Sequence, residues 1–510
     1  GTAAGTPAVI FRRTRPIAAY ETLTAEGAAL CSSPDTSCPG SVNGGDTYTV
    51  GGFGFLQDAT LDRIQGRASA TFLFQGLGHH IIKAGLDIEH LRYDLKKAYT
   101  GGFILRENGT GTRFDDYRQY GYFTGPDEAT RQAVINSVPT SNSVGAYLQD
   151  SWSIMDLVTL NLGLRYENQQ LLAGDNTLGL TLNNMLSPRI GVIYDFTQQG
   201  RSKLFANFSR YYEAMPIDIA DRALTGENQY QFQHAVAGHP TAQPGNHGCN
   251  PLASIDQALN ECQDPLNTRR VNAINGGDYD PNPGGLQTGA GKTPVDANLK
   301  PQSSDEIVVG GEYEVISDGR VGVTYTRRYM NSVIEDMSVD EASTYFIGNP
   351  GEGISSAFPK AVRDYDAVTA YFNKAFSDGW MGQVSYTYSS LRGNYNGLFR
   401  PETGQLDPNI NADFDLISLL PNRTGPLDAD RNHFIKAYAS KEFQITSSFS
   451  LVAGLTYEGR SGAPINYLGS HPLYGPDEVF VLPRGAGGRL PWRHDINAKG
   501  GVRYKISKDN

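Results

Sequence analysis

The chain has 510 residues, of which 39% are hydrophobic, and its formal net charge is −11. This acidic balance argues against a nucleic-acid partner, which requires a basic surface. The mean hydropathy is −0.39 and no run of 18 apolar residues occurs, so helical membrane spans are excluded. A transmembrane β-barrel is compatible with these values, because its apolar residues occupy only every second position.

The first strands of the chain follow a period of two. Residues 8–18 begin with a short apolar run that predicts a strand, and an irregular loop follows to about residue 54. Apolar and polar residues then alternate up to Phe74, turn at Gly76-Leu-Gly78, and alternate again up to Ile88. Such a pattern predicts a β-hairpin with one apolar face.

Four strands are predicted between residues 143 and 213, with short turns on one side and a longer loop on the other. Leu162 and Leu164 alternate with Gly163 and Arg165, and the same period continues through Ile190 and its neighbours. Strands of this type have one apolar face and one polar face. Both a soluble sheet and a lipid-facing barrel wall have this property.

The second half of the chain begins with a long interruption at 215–302, which is rich in Pro, Asn, Gly and Gln. Loops of this length are rarely structureless inside compact domains, so we expect a functional or partly disordered segment. Further hairpins turn at Ser317-Asp-Gly319 and at Ser377-Asp-Gly379, and more strands are expected near 432–443, 449–459 and 493–506.

Short turns alternate with long loops along the whole chain, as in outer-membrane barrels. The predicted fold is therefore all-β, a transmembrane antiparallel β-barrel of which about 14 strands are visible. Residues 1–510 form the barrel portion, and its extracellular loops are predicted at 19–58, 98–142, 214–302, 335–362, 392–430 and 460–492.

The four cysteines form two close pairs within polar loops, Cys31 with Cys38 and Cys249 with Cys262. Pairs of this kind indicate disulfides and an oxidising compartment, although four cysteines allow three connectivities. The alternative is a metal site. Its ligands would be His234, His239, His247 and Cys249, which do not have the regular ligand spacing of a zinc motif.

Six charged residues alternate with the apolar residues of their predicted strands and are therefore expected to face the barrel lumen. They are Arg165, Glu167, Arg189, Asp195, Glu312 and Arg328.

Acidic and amide residues recur at every second position from Asp407 to Asp415, which superficially resembles a calcium loop. The turn glycine and the bidentate glutamate of an EF-hand are missing, so a solvated extracellular strand or loop is the preferred interpretation. No Gly-x-Ser-x-Gly, His-Glu-x-x-His or Cys-x-x-Cys motif occurs, and no motif supports an enzyme, a metal site or a bound cofactor.

Several segments of the chain resemble the barrel of TonB-dependent outer-membrane receptors, most closely the Oar-like branch. They are Gly145-Ala-Tyr-Leu-Gln-Asp-Ser-Trp152, Thr159-Leu-Asn-Leu-Gly-Leu-Arg-Tyr-Glu167, Ser187-Pro-Arg-Ile-Gly191, Tyr386-Thr-Tyr-Ser389, Leu391-Arg-Gly-Asn-Tyr395, Gly425-Pro-Leu and Asp430-Arg-Asn-His433. The likeness spans about 60–506.

The resemblance implies a plug followed by a barrel of about 22 strands. This chain has neither a recognisable plug, nor the small N-terminal sandwich domain of Oar-like members, nor an aromatic last residue. Its first residues also lack the features of a signal peptide. We therefore expect an interior piece of a longer, exported protein. A complete 14-stranded barrel like the long-chain fatty-acid channels is the alternative.

The family implies a protein of the Gram-negative outer membrane that contacts the lipid bilayer, lipopolysaccharide and the TonB complex, the last through the plug. An unidentified extracellular ligand or protein completes the expected partners. The lumen-facing charges would pair with plug residues or touch the ligand. The main hypothesis is TonB-dependent uptake of that ligand. Surface adhesion or protein export is the second hypothesis, and a passive channel is the third.

Overall fold

The structure is a computed structural model. It describes residues 8–11, 25, 48–102, 104–107, 113–121, 135–225, 228–235, 286–288, 293–342, 344–400, 412–472 and 474–506. In these ranges no helix combines the length and the apolar character needed to cross a membrane.

Thirteen long strands form one antiparallel sheet in which every strand pairs with the next one along the chain. In chain order, the strands are β1 (Phe55–Gln75), β2 (His79–Tyr99), β3 (Thr140–Ile154), β4 (Val158–Leu172), β5 (Leu178–Tyr194), β6 (Ser202–Tyr212), β7 (Ser303–Ile316), β8 (Gly319–Ser332), β9 (Arg363–Ser377), β10 (Trp380–Gly393), β11 (His433–Gln444), β12 (Phe449–Arg460) and β13 (Arg493–Tyr504). This meander is the topology expected for a barrel wall.

The strand register keeps the apolar residues on one face of the sheet. Leu164 of β4 is opposite Leu148 of β3 and Pro188 of β5, and the same alignment continues where Val309 of β7 is opposite Tyr325 of β8. These side chains are solvent-accessible although apolar, as 59% of Leu148 and 48% of Leu164 are exposed. An apolar exposed face of this extent is typical of a lipid-facing wall.

The short turns lie together at one end of the sheet, the short-turn end. Both Ser-Asp-Gly hairpins are confirmed, and Asp318 and Asp378 adopt φ values of 61° and 51°. Aspartate tolerates this left-handed conformation better than most residues, because its side chain bonds locally. The opposite end of the sheet, the long-loop end, carries the connections 100–139, 213–302, 333–362, 394–432 and 461–492.

The longer loop predicted among the four strands of residues 143–213 is not present. β4 extends to Leu172 and β5 begins at Leu178, so that only residues 173–177 connect them at the long-loop end. Register shifts between Leu178 and Leu180 and between Leu182 and Met185 interrupt the alternation of β5. Because a bulge moves the following side chains to the other face, the period of two is hidden in the sequence.

A second sheet that the sequence did not reveal joins segments of the long connections to two segments that precede β1. Its six short strands are arranged in the order 286–288, 228–235, 113–121, 104–107, 8–11 and 48–51. Ala8–Phe11 pairs in parallel with Ile104–Glu107, a contact between segments far apart in the chain. The described parts of 215–302 are thus partly β-structure rather than structureless.

The other long connections fold into a packed layer at the long-loop end. This loop layer comprises the described residues of 213–225, 293–302, 333–362, 394–432 and 461–492. In one of its cores, Met215 and Leu224 pack with Leu180, Leu182 and other residues of the strand ends. Lys97 of β2 and Asp221 form a buried ion pair of 2.5 Å that fixes this layer to the sheet.

Candidate functional site

The polar face of the sheet carries a chain of ion pairs in its first strands. Arg165 donates from Nη1 to Asp87 and from Nη2 to Glu167, both at 2.7 Å, and Arg67 donates to the other oxygen of Asp87 at 2.5 Å. The four side chains belong to β1, β2 and β4, so the contact between Asp87 and Arg165 crosses β3. Arg165 and Glu167 therefore have partners on the wall itself, and a contact of either with a plug stays a prediction.

Glu312 of β7 is also held by the wall. It accepts hydrogen bonds from Arg320 at 3.2 Å and from the Tyr371 hydroxyl at 3.0 Å. Arg320 in turn donates to the carbonyl oxygen of Gly200 at 2.8 Å, at the short-turn end. The geometry gives Glu312 a structural role between neighbouring hairpins.

Asp195 lies one residue beyond β5, in the turn that leads to β6. Its carboxylate accepts hydrogen bonds from the hydroxyls of Ser202 and Thr197 at 2.6 Å and from the Gly200 amide at 2.6 Å. The Ser202 and Thr197 hydroxyls hold the pKa of this carboxyl below its usual range. Local turn geometry accounts for Asp195, and its predicted position on the lumen wall is corrected to the short-turn end.

Arg189 and Arg328 are arranged differently from the other predicted residues. Both guanidinium groups lie over the ring of Tyr211, with Cζ at 5.3 Å and 5.4 Å from its centroid. Arg328 also donates to the Ser304 hydroxyl at 3.1 Å. Within the described part of the chain, neither arginine forms an ion pair with a carboxylate. The structure thus brings these two predicted residues together on an aromatic ring, where cation–π attraction holds them.

A cavity of about 510 Å³ opens beside this arrangement, at the long-loop end of the polar face. We refer to it as the Arg328 cavity. Its lining includes Tyr211, Glu213, Arg328, Arg363 and Tyr395. The Nε atom of Arg363 is buried and has no hydrogen-bond partner among the described residues. The cavity therefore combines two cationic side chains with aromatic walls.

The sequence did not single out Tyr211, Arg363 or Tyr395 as site residues. Each lies near the end of a predicted strand, where the sequence pattern alone does not distinguish a strand end from a binding site. The sequence feature that could have indicated this site is the presence of an arginine on the polar face of both β5 and β8. Only the strand order shows that Arg189 and Arg328 meet on Tyr211 of β6.

A network of buried charges lies at the centre of the loop layer. Asp413 is fully buried and pairs with Arg423, while guanidinium nitrogens of Arg484 and Arg400 lie 3.5 Å and 3.9 Å from its Oδ1. Burial opposes ionisation, but Arg423 and the other two arginines outweigh it and lower the pKa of Asp413. The predicted solvated strand or loop is therefore wrong for Asp413, because the loops that bury it come from distant parts of the chain. Asp407, Asn409 and Asn411 of the same prediction lie outside the described residues.

A second buried group in the loop layer contains acids with the opposite behaviour. Burial, together with Asp336, raises the pKa of both Glu335 and Asp415 well above the usual range. Tyr474 donates to Asp415 at 2.8 Å, and its hydroxyl also contacts that of Tyr345. These contacts join three separate loops.

No set of three or more His, Cys, Asp or Glu side chains in the described ranges is arranged to hold a metal ion. The alternative zinc site is not tested, because His239, His247 and Cys249 lie outside the described residues. The same holds for the two predicted disulfides, since Cys31, Cys38, Cys249 and Cys262 all lie outside them.

Comparison with known proteins gives consistent matches. The family described as TonB dependent receptor-like, beta-barrel matches residues 40–358. The TonB-dependent transporter Oar of Myxococcus xanthus is 48% identical over 522 residues, which cover 99% of this chain and 48% of that protein. The chain thus spans about half the length of this curated relative.

Solved structures also match, at low identity. The outer membrane transporter YddB from Escherichia coli is 12% identical, with 97% of this chain and 50% of that chain covered and a TM-score of 0.47. A mutant of the ferric enterobactin receptor PfeA from Pseudomonas aeruginosa is 15% identical, with 92% and 49% covered and a TM-score of 0.44.

Proposed function

Because the chain belongs to the TonB-dependent receptor family, we propose that it is the ligand-capturing part of an energy-coupled transporter. The family is one of Gram-negative outer-membrane β-barrels, and the thirteen-stranded sheet is part of such a wall. Its apolar face contacts lipid and its polar face lines the lumen. In the complete protein, the long loops face the outside and a plug fills the lumen.

The observation that carries the proposal is the Arg328 cavity beneath the loop layer. It is on the lumen face, at the end where the long connections gather, so a ligand that passes these loops arrives there before it meets the plug. The cavity has the volume of a small-molecule site, which is about 300–1,000 Å³. Its arginines and aromatic rings are groups that bind rather than groups arranged for catalysis.

In this proposal, the barrel fixes the plug, the loops and the cavity capture the ligand, and the inner-membrane TonB complex pulls on the plug. The free energy for transport comes from that complex. The wall contributes rigidity through the ion pairs of Arg165 and Glu312, which link separate strands of the sheet. A rigid wall lets a pull on the plug move the plug rather than deform the barrel.

The test uses the full-length protein in an outer membrane with and without a functional TonB complex. Cysteine cross-linking between the protein and TonB should give a covalent adduct, and purified protein in planar bilayers should show no steady open conductance. A stable open pore without an energy source would instead identify a passive channel. Cell attachment that depends on the protein but not on TonB would identify an adhesin.

A further inference from the structure

The Arg328 cavity contains more positive charge than its lining neutralises. Arg328 and Arg363 line it, and Glu213 is the one carboxylate among the described lining residues. Glu213 accepts a hydrogen bond from Gln302 at 2.6 Å, and it forms no ion pair with either arginine. Arg328 is exposed and Arg363 is half-buried, and among the described residues neither of them forms an ion pair with a carboxylate.

The arginines are also held in place before any ligand arrives. Tyr211 supports Arg328 on one side through its ring, and the Ser304 hydroxyl accepts two hydrogen bonds from the same guanidinium, at 3.1 Å and 3.3 Å. Stacked and hydrogen-bonded guanidinium groups lose little conformational entropy when they bind. The remaining N–H groups of Arg328 are available to an acceptor in the cavity.

The surroundings of Arg363 independently indicate that the cavity binds an anion. Its Nε atom is shielded from solvent and bonds to none of the described groups. A buried donor without an acceptor costs about 1–3 kcal/mol, so such donors are rare unless a bound group completes them. The guanidinium fork matches the two oxygens of a carboxylate or a phosphate, which would satisfy this donor.

The apolar part of the lining restricts the rest of the ligand. Tyr395 is almost fully buried, whereas 49% of Phe399 is exposed. The Phe399 ring therefore presents apolar surface to the cavity beside the two cations. A ligand that uses the whole cavity therefore needs an apolar or aromatic body next to its charged group.

We infer that the Arg328 cavity binds small organic anions, in which a carboxylate or phosphate group pairs with Arg328 and Arg363 while an apolar body lies against Phe399. This inference rests on the proposed capture of a ligand and adds its chemical class. A carboxylate from the plug would offer the same chemistry, and the experiment below distinguishes that source from a ligand.

The experiment is calorimetric titration of the full-length protein in detergent with benzoate, phenyl phosphate and the neutral benzyl alcohol, at constant ionic strength. Benzoate or phenyl phosphate should bind, and benzyl alcohol should bind at least tenfold more weakly. The better of the two anions identifies the charged group. Arg328→Gln and Arg363→Gln should each weaken anion binding about tenfold to a hundredfold, as expected for the loss of a charged hydrogen bond.

The matched control is Arg503→Gln, because Arg503 pairs with Glu442 at 2.9 Å on β13, outside the cavity. It should leave anion binding unchanged. Arg328→Lys keeps the charge without the planar fork and should recover part of the affinity, which shows that loss of binding is not loss of folding.

Equal binding of benzyl alcohol and benzoate would overturn the inference, and so would equal affinities in the wild type and the Arg328→Gln variant. Absence of anion binding, together with a lower thermal stability of Arg328→Gln, would assign the arginines to a plug carboxylate and would also overturn it. Each result leaves the TonB cross-linking test unaffected, so the two proposals fail separately.

Discussion

Asp413 and Arg423 form a hydrogen-bonded ion pair from which solvent is excluded, with 0% and 2% of their side chains exposed. The pair joins two parts of the connection between β10 and β11. Arg484, from the connection between β12 and β13, adds a third member and donates to the Arg423 carbonyl oxygen at 2.9 Å. Two long loops thus share one buried anion, and that anion holds the loop layer together.

Asp413→Asn should weaken the loop layer strongly. The substitution leaves the buried guanidinium group of Arg423 without its anion, which costs about 3–5 kcal/mol when a buried pair loses one partner. Limited proteolysis of the full-length protein should cleave within 394–432 and 461–492 much faster than in the wild type. Glu352→Gln is the control, because the Lys300–Glu352 pair is partly exposed and should be worth less than about 1 kcal/mol. Equal cleavage of Asp413→Asn and wild type would contradict the role of this anion.

Glu335→Gln should change how the stability of the loop layer depends on pH. The pKa of Glu335 is raised above 4.5 in the folded state by burial and by Asp336, so the folded state keeps a proton that the unfolded state releases. Stability therefore falls as the pH rises from about 4.5 through the folded pKa, by about 1.4 kcal/mol for every pH unit between the unfolded and the folded pKa.

The glutamine variant cannot release this proton and should be more stable than the wild type at pH 8 but similar to it near pH 4. Proteolysis rates between pH 4 and pH 8 measure this difference. Because the pKa of Asp415 is raised in the same way, the stability of the variant should still decrease with rising pH, but less steeply than that of the wild type. A wild-type slope that the substitution does not reduce would exclude Glu335 as its source.

Val323→Arg should impair membrane assembly, whereas Thr324→Arg should be tolerated. The two residues are neighbours on β8, and 53% of Val323 is exposed on the apolar face. An arginine on the lipid side costs about 2–4 kcal/mol near the bilayer centre, while one on the lumen side stays hydrated. Heat-modifiable gel migration of the full-length protein from outer membranes reports assembly. Equal assembly of both variants would mean that the faces are assigned incorrectly.

The cysteines should be oxidised in the mature protein. Alkylation of the denatured, unreduced full-length protein should modify none of Cys31, Cys38, Cys249 and Cys262, and reduction should make all four reactive. Peptide mapping without reduction should join Cys31 to Cys38 and Cys249 to Cys262. Zinc found by elemental analysis, together with free thiols at Cys249, would favour the alternative metal site.

The sequence predicted the strands of the wall well, because the alternation of apolar and polar residues within each strand is a local pattern. Alternation around Leu164 and Ile190 assigns each side chain to a face, and the Ser-Asp-Gly turns mark where the chain reverses. The family resemblance rested on the same strands, around Tyr147 and Arg165. These features depend on neighbours within a few residues, so no contact between distant segments is needed to recognise them.

The tertiary structure decided which charges are partners and where the cavity lies. Arg165 pairs with Asp87, and Arg328 and Arg189 both contact the ring of Tyr211. These contacts depend on the strand register, which the sequence pattern does not reveal. Asp413 looked solvated because its arginine partner Arg484 is supplied by another loop. The free energy of such a buried charge depends on groups far along the chain, and only the folded arrangement brings them within reach.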